Sequence, residues 1–458
     1  MTVPQMGVGA AQGQAAQGLP GALPFRPHPS AWLPLLLMAA LFAAPLAFGA
    51  VRPWAWASLA VLASLLIFLW SVEGVRQGAL RIAWSPLYVP GVLFFLLAAF
   101  QFLSHRTLDP IATRESLLKL ATDLLFFFLA VQFLARAAES SLRAFGLAVA
   151  LYTLALALFA IIQYFSSNGL IYWVAVTHAS ATFGPYVDRD HYAGLMEMLV
   201  PLAACYAFSR RRELFLQCLL GFGLLLAVAS LLLCGSRGGF VSLLAEVLIV
   251  GLVLFRCAPA DGRRRVTAMG GLGLTMAALL FFYLDPGYIS KELATVASVP
   301  RSPEVTLGDR LTASRDSLRL FRAYPWTGTG LGSFEVAYPA FESVATDYVW
   351  AHTHNDYAEA LAETGLAGGL LILAALVLFF RRAFRNLAER LRRERGWTEL
   401  GGALGCCGLL VHSLVDFNLH LPANAAWFVL CLAIATTRQQ KPIESRNWNW
   451  KTETGVLS

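Results

Sequence analysis

The sequence predicts an all-α polytopic membrane protein with about twelve transmembrane helices and one large loop on the outer side. Two observations predict this class. Of the 458 residues, 57% are hydrophobic and only 14% are charged, and the mean hydropathy is +0.61. A soluble protein of this length needs more charged surface. The apolar residues also form runs long enough to cross the roughly 30 Å hydrocarbon layer of a bilayer.

Twelve such runs follow one another along the chain, at residues 31–50, 54–72, 86–104, 117–136, 143–165, 191–209, 214–234, 238–255, 266–283, 357–380, 398–416 and 421–437. The segment before them, residues 1–30, is rich in Gly, Ala, Gln and Pro without periodicity and reads as a disordered cytoplasmic tail. The expected organisation is this tail, a first transmembrane bundle of nine spans (31–283), a periplasmic loop (284–356), spans ten to twelve (357–437) and a cytoplasmic tail (438–458).

The basic residues predict the orientation. If the N-terminus is cytoplasmic, most Lys and Arg fall on that side, including the clusters at 210–212, 263–265 and 381–395. Positive charge is enriched in cytoplasmic loops, so both termini are expected inside and the 284–356 loop outside. The seven cysteines all lie in or at the edge of apolar runs, which argues against a disulfide framework.

Polar clusters gather on the predicted outer side. Arg189, Asp190 and His191 open the sixth span, where the simpler reading is a capped helix start with an interfacial arginine. The turn between the seventh and eighth spans reads Gly235-Ser236-Arg237-Gly238-Gly239. Its glycines are expected to leave the guanidinium and the next helix's N-terminal amides uncovered, and such a helix start is a natural anion site. The alternative is an arginine that snorkels at a helix end.

The long loop contains a predicted amphipathic helix over residues 310–322, with Asp309 placed to cap its N-terminus. One stripe of this helix is apolar and a second is basic, an arrangement that suits anionic head groups. The apolar stripe contains Leu311, Leu318 and Phe321, and the basic stripe contains Arg315, Arg319 and Arg322. Arg310 lies on the opposite flank, and periodicity alone does not favour it over Arg315.

The stretch from Trp350 to Gly369 is the most polar opening of any predicted span. It contains His352, His354 and Asn355, and acid–base chemistry is the favoured reading. A structural role and a metal site are the alternatives. A tetrahedral metal needs three or four ligands, and no further His or Cys is near in sequence. Asp356 and His420 are the residues that the fold could bring near, but the favoured expectation is no metal. Three carboxylates in or at the ends of spans have no assigned role: Glu197, Glu246 and Asp416.

These clusters together resemble the O-antigen ligase/O-antigen polymerase superfamily of bacterial envelope glycan enzymes, over roughly residues 150–380. Ser236-Arg237-Gly238 resembles its Ser-Arg-Gly turn. Arg310-Leu311 with the glycine-rich 325–334 stretch resembles its loop motif. His354-Asn355, followed after nine residues by Gly365-Leu-Ala-Gly368, matches the ligase pattern. The segment Asp190-His191-Tyr-Ala-Gly194 resembles another family motif, with Asp190 in place of the common Asn.

The resemblance implies a cofactor-independent inner-membrane glycosyltransferase, active on the periplasmic side, that transfers or polymerises saccharide from an undecaprenyl-diphosphate donor. His354 would be the base, and Arg237 and Arg310 would stabilise the leaving diphosphate. The substrate-binding candidates are Arg189, Asp190, His191, Ser236, Arg315, His352 and Asn355. The acceptor would be a saccharide, lipid A-core or a protein. The alternatives are a transporter or flippase of lipid-linked saccharides and a protein O-oligosaccharyltransferase.

Overall fold

The computed structural model describes residues 32–77, 82–176, 182–209, 213–257, 307–344 and 349–438, and this part of the chain is helical. It contains no β-strand, only two isolated β-bridges. The first eight helices are α1 (Trp32–Leu46), α2 (Pro53–Arg76), α3 (Tyr88–Leu103), α4 (Pro110–Leu134), α5 (Glu139–Ser166), α6 (Arg189–Phe208), α7 (Leu214–Leu233) and α8 (Arg237–Cys257). The others are α9 (Leu307–Ala323), α10 (Phe334–Ala337), α11 (Asp356–Ala383), α12 (Leu387–Arg390), α13 (Glu394–His412) and α14 (Pro422–Thr436).

The all-helical prediction is confirmed for the described residues, and a helix lies at each predicted span among them. The predicted span 266–283 lies outside the described residues. Among the described residues, six helices are long and apolar enough to cross a membrane: α2, α4, α5, α7, α8 and α11. The total of twelve spans and the sidedness of the loop remain predictions.

Two helices of the described part, α6 and α13, form the centre of the bundle and are almost entirely buried. Small residues allow their backbones to approach closely. A Cβ atom at Gly405 would lie 2.8 Å from the Met198 Cα, and one at Gly401 would lie 2.9 Å from the Leu202 Cα. Close packing of this kind is how helices associate where water does not drive them together. Because neither helix faces lipid along most of its length, both can carry polar side chains.

The glycine-rich turn of the loop docks on the first half of α11. The Thr329 and Gly330 amides donate to the carbonyls of Ala362 and Glu363, at 3.1 and 3.0 Å. Gly330 has a φ of +113°, and a Cβ atom there would collide with Thr107, so glycine is required on both counts. The buried Glu363 side chain accepts a hydrogen bond of 2.9 Å from the Phe334 amide. The turn therefore has a structural role.

Helix α9 confirms the predicted loop helix, with one correction. Asp309 lies inside the first turn and not at the cap, since the helix already includes Leu307. The leucines of the predicted apolar stripe are exposed, so their contact with head groups remains a prediction. The sequence did not reveal a second face, formed by Ala313, Ser317 and Leu320, that is fully buried. This helix packs against α11, and the small residues on the buried face permit a close approach.

Candidate active site

The polar side chains meet at the end of the bundle where α6, α8 and α11 begin and α13 ends. His354 lies in the turn before α11 and has a left-handed backbone, with a φ of +54°. The next residue, Asn355, is the N-cap of α11, and its side chain accepts from the amides of Tyr357 and Ala358, at 3.1 and 3.0 Å. Asn355 therefore fixes the turn that presents His354.

A buried carboxylate orients the His354 ring. The Nδ1 of His354 lies 3.1 Å from the Oδ1 of Asp416, whose side chain is fully buried in the loop between α13 and α14. Burial favours a raised pKa for Asp416, but the hydrogen bond with His354 and the charges of His191 and Arg310 outweigh it and lower that pKa well below the ordinary value. An ionised carboxylate only accepts, so Nδ1 carries a hydrogen directed at Asp416, and in the neutral tautomer with that hydrogen the acceptor nitrogen is Nε2.

His191 approaches the other oxygen of the same carboxylate. Its Nε2 is 3.7 Å from the Asp416 Oδ2, and Asn418 donates to that oxygen at 3.1 Å. The His191 Nε2 atom is buried and has no hydrogen-bond partner in the described residues. The ring of Phe417 lies 4.8 Å from both the His191 and His354 rings, measured between centroids. Asp416 therefore links two predicted site residues that are far apart in sequence.

Arg310 is anchored in the same group. One of its terminal nitrogens donates to the Asp190 carboxylate at 2.9 Å, and the other donates to the Val415 carbonyl at 2.7 Å. Burial opposes its charge, but Asp190 and Asp416 together raise the pKa of Arg310. A guanidinium has five donors, so these two contacts position it and leave others for an anion. Asp190, the departure from the family motif, is thus an ion-pair partner.

The Ser236–Gly239 turn begins α8, and Ser236 Oγ accepts from the Gly239 amide at 3.1 Å. Arg237 is half-buried at the helix start. The expectation that Gly238 and Gly239 leave open space is wrong, because both are buried against protein. A Cβ atom at Gly238 would collide with the ring of His412, and one at Gly239 would lie 2.7 Å from the Ala193 Cβ. These glycines therefore serve packing.

A second histidine–carboxylate pair lies below this turn, inside the bundle. His412 Nδ1 is 2.8 Å from Glu197 Oε1, and both side chains are completely buried. This pair supplies the partner that the sequence could not name for Glu197. Glu246 is also buried, and a Cβ atom at Gly408 of α13 would collide with its carboxylate. The contact places Glu246 between α8 and α13.

A cavity of about 460 Å³ lies beside the turn. It is lined by Arg189 and Gly235 and by residues of α5 and the following loop, among them Tyr164, Ser167 and Thr182. Arg189 also approaches the turn directly, since its Nη1 would lie 3.8 Å from a Cβ atom at Gly235. This volume falls in the range of small-molecule sites.

His352 contacts a different carboxylate from the one that contacts His354. Its Nδ1 lies 2.7 Å from Glu359 Oε1, and the Nε2 of His420 lies 3.1 Å from the same oxygen. The Nδ1 of His420 lies 2.9 Å from Asp356 Oδ1. Burial lowers the pKa of His420, but the carboxylates of Glu359 and Asp356 outweigh it and raise that pKa well above its ordinary value. We call His352, Asp356, Glu359 and His420 the second cluster.

Most predicted site residues thus lie at one end of the bundle. Arg315, on the same helix as Arg310, is exposed, and no described contact ties it to the other site residues. Sequence reasoning left Asp416 unassigned, missed His412, and named His420 only as a residue that could be near in space. Phe417, Asn418 and Leu419 separate Asp416 from His420 after α13, and polar residues between two apolar runs were the one available signal.

One comparison with known proteins matches part of the chain. Residues 222–373 match the family model described as O-antigen ligase. The matched segment includes Ser236, Arg237, Arg310, His354 and the Gly365–Gly368 motif, but not Asp190, His191, Asp416 or His420. No curated protein matches the chain. The family match confirms the resemblance to the O-antigen ligase superfamily that the sequence motifs predicted.

Proposed function

We propose that this protein is an inner-membrane glycosyltransferase that transfers or polymerises undecaprenyl-diphosphate-linked saccharide on the periplasmic side. The observation that carries the proposal is the buried Asp416, which orients His354 at 3.1 Å beside an anchored Arg310. The family match at residues 222–373 supports an activity of this kind. The six apolar helices support a multi-pass membrane protein.

His354 is the proposed general base. With the hydrogen on Nδ1 held by Asp416, Nε2 can take the proton of the acceptor hydroxyl. The hydroxyl oxygen then forms a bond to the anomeric carbon, and the bond from that carbon to the phosphate oxygen breaks. Its electron pair leaves with the undecaprenyl diphosphate. A pair of carboxylates flanking the bond, as in a glycosidase, is not needed for this step.

The arginines are the proposed partners of the leaving diphosphate. Arg237 and Arg310 carry permanent charges on planar groups that match phosphate oxygens, and Arg189 adds a third charge beside the turn. The N-termini of α6, α8 and α11 all lie at this end of the bundle, where helix dipoles favour negative charge. The cavity lined by Arg189, Tyr164 and Thr182 is large enough to hold part of a saccharide.

Transfer itself is proposed to need no metal, since arginines can supply the charge that a metal supplies elsewhere. The purified protein should keep its rate in excess EDTA at a temperature where it stays folded. Loss of transfer that Mg²⁺ or Mn²⁺ restores would contradict this.

The acceptor class defines the reaction more closely. A saccharide acceptor would make the protein a polymerase, lipid A-core would make it a ligase, and a protein acceptor would make it a protein O-oligosaccharyltransferase. A flippase of lipid-linked saccharides is the candidate from another class. Such transporters place charges near the bilayer midplane. The Glu197–His412 pair inside the bundle is the observation that favours a flippase.

The test is the surface glycan profile of cells with the parent chain, with His354→Ala and with no copy. Long glycans should be lost in the His354→Ala strain and in the strain with no copy. Single capped units without polymer would identify a polymerase, and polymer that accumulates on the lipid carrier would identify a ligase. If His354→Ala restores the parent profile, the enzymatic proposal fails and a transport role gains support.

A further inference from the structure

We propose that His352, Glu359 and His420 form a binding site for one divalent metal ion of the zinc class. Three atoms converge there: the Nδ1 of His352, the Oε1 of Glu359 and the Nε2 of His420, all within 4.8 Å of one another. Two imidazoles and one carboxylate form a ligand set that zinc uses when its fourth position stays open. The sequence argument against a metal was the lack of a third ligand, and the fold supplies it as His420.

The observed spacing is close to what a metal requires. Bonds of about 2.0–2.1 Å in a tetrahedral arrangement place neighbouring ligand atoms roughly 3.3 Å apart. The two histidine nitrogens lie 2.7 and 3.1 Å from the Glu359 oxygen. The two histidine nitrogens lie within 4.8 Å of each other, so they would have to approach by at most about 1.5 Å for a tetrahedral ion to bind all three atoms. The His352 and His420 rings are neighbours as well, with centroids 4.4 Å apart.

The surroundings of the ligands fit a metal site equally well. The Nδ1 of His420 faces the Asp356 carboxylate at 2.9 Å, which leaves Nε2 directed to the ion. Metal-binding histidines almost always have such an outer partner. The second oxygen of Glu359 accepts from the Thr353 amide at 2.8 Å and from its hydroxyl at 2.9 Å. Two of the three ligands are thus held in place before an ion arrives.

The buried carboxyl groups of the second cluster and the exposure of its histidines also favour a bound cation. The side chains of Glu359 and Asp356 are 1% and 6% exposed, so two carboxyl groups are buried together, an environment in which buried carboxylates are usually paired or bind a metal. Both histidine side chains are 29% exposed, which leaves an open side for entry and for a water molecule as fourth ligand. A proton on each histidine is the competing way to balance the charge.

A metal here would be structural, since it would stabilise the two segments beside the catalytic pair without taking part in transfer. His352 lies two residues before His354, and His420 lies four residues after Asp416. The ion would fasten the turn before α11 to the loop before α14, and these two segments carry the proposed base and the carboxylate that orients it. This inference does not depend on glycosyl transfer, because the metal can be counted in a protein without an assay.

The experiment uses the full chain, purified without a polyhistidine tag, loaded with Zn²⁺ and freed of excess by gel filtration. Elemental analysis should find about one zinc per chain. X-ray absorption should find nitrogen and oxygen ligands near 2.0 Å and no sulfur. Zn²⁺ should also raise the melting temperature of metal-free protein. Glu359→Gln and His420→Ala should lose the bound zinc.

The matched control is His105→Asn, at an exposed histidine with a φ of +55°, a conformation that asparagine tolerates. It should keep the zinc. Parent protein without stoichiometric zinc would overturn the proposal and leave the second cluster as a protonated ion-pair network. Zinc bound through sulfur would overturn it too, since the ion would then sit at cysteines. Both readouts use parent protein and do not require the variants to fold.

Discussion

At the scale of single residues, Asp416 decides what His354 can do. Its carboxylate fixes the hydrogen on Nδ1 and thereby leaves Nε2 as the atom that can accept a proton. Its other oxygen faces His191 at 3.7 Å. Its neighbour in sequence, Val415, accepts from Arg310 at 2.7 Å. One short segment therefore holds both the base and an arginine proposed to bind the diphosphate.

Asp416→Asn should reduce transfer by roughly 10²–10⁴ while donor binding stays near the parent value. The amide has nearly the same shape, but its NH₂ group can donate to Nδ1 and so favours the tautomer in which Nε2 carries the hydrogen. The measurement is the single-turnover transfer rate beside donor affinity. Asp109→Asn is the control, since Asp109 is an N-cap and asparagine caps equally well. Transfer by Asp416→Asn within threefold of the parent would exclude this role.

The same carboxylate predicts a dependence of stability on pH. Because the pKa of Asp416 is lowered in the folded state, its contribution is fully present above the unfolded value of about 3.9. It is lost as the pH falls through the folded-state pKa. The difference in melting temperature between parent and Asp416→Asn should narrow as the pH falls below about 4. If the difference in melting temperature instead widens below about pH 4, the pKa of Asp416 is raised and not lowered in the folded state.

At the scale of elements, hydrophobic runs predicted the helices well because a membrane helix needs a continuous apolar stretch. The faces of those helices were harder to predict. The buried face of α9 consists of small residues, Ala313 and Ser317 beside Leu320, which no apolar stripe reveals. The sequence predicts that Gly238 leaves the start of α8 uncovered, whereas Gly238 packs against His412 of α13. A glycine that permits close packing and a glycine that exposes a backbone look the same in sequence.

Gly238→Ala tests this contact. The new methyl group would collide with His412, so we expect lower stability, by about 1–3 kcal/mol, and reduced transfer as α8 moves away from α13. Gly251→Ala, in the same helix, has open space around the new methyl group and should be neutral or slightly stabilising. Melting temperatures of the two variants in one detergent make the comparison. Equal effects would show that helix propensity, and not the contact, is responsible.

At the scale of the whole molecule, composition was enough to predict a helical membrane protein. The local motifs predicted that His354, Arg237 and Arg310 form one site. The structure brings His354 and Arg310 to the neighbouring residues Asp416 and Val415, and the roles of all three residues remain predictions. The partners could not be predicted, because Asp416 pairs with His354 and His412 pairs with Glu197 across long stretches of sequence. Such pairs are set by packing in three dimensions and leave no periodicity in a single sequence. The same holds for His420, which completes the second cluster.

The predicted sidedness has its own test. Because the basic residues sort to one side, both termini should be cytoplasmic and the 284–356 loop periplasmic. A cysteine introduced at Ser302, in a background where the native cysteines are replaced, should react with a membrane-impermeant maleimide in cells with an opened outer membrane and an intact inner membrane. Labelling only after the inner membrane is opened would reverse the orientation.

The catalytic roles of His354 and Arg237 can be separated by measuring donor binding and transfer rate, side by side, for His354→Ala and Arg237→Lys. His354→Ala should bind the donor like the parent but transfer it roughly 10²–10⁴ times more slowly, because only the base is lost. Arg237→Lys should weaken donor binding by about 1–3 kcal/mol, since an ammonium lacks the fork that grips phosphate. Parent-rate transfer by a folded His354→Ala protein, or equal loss of binding in both variants, would contradict the account.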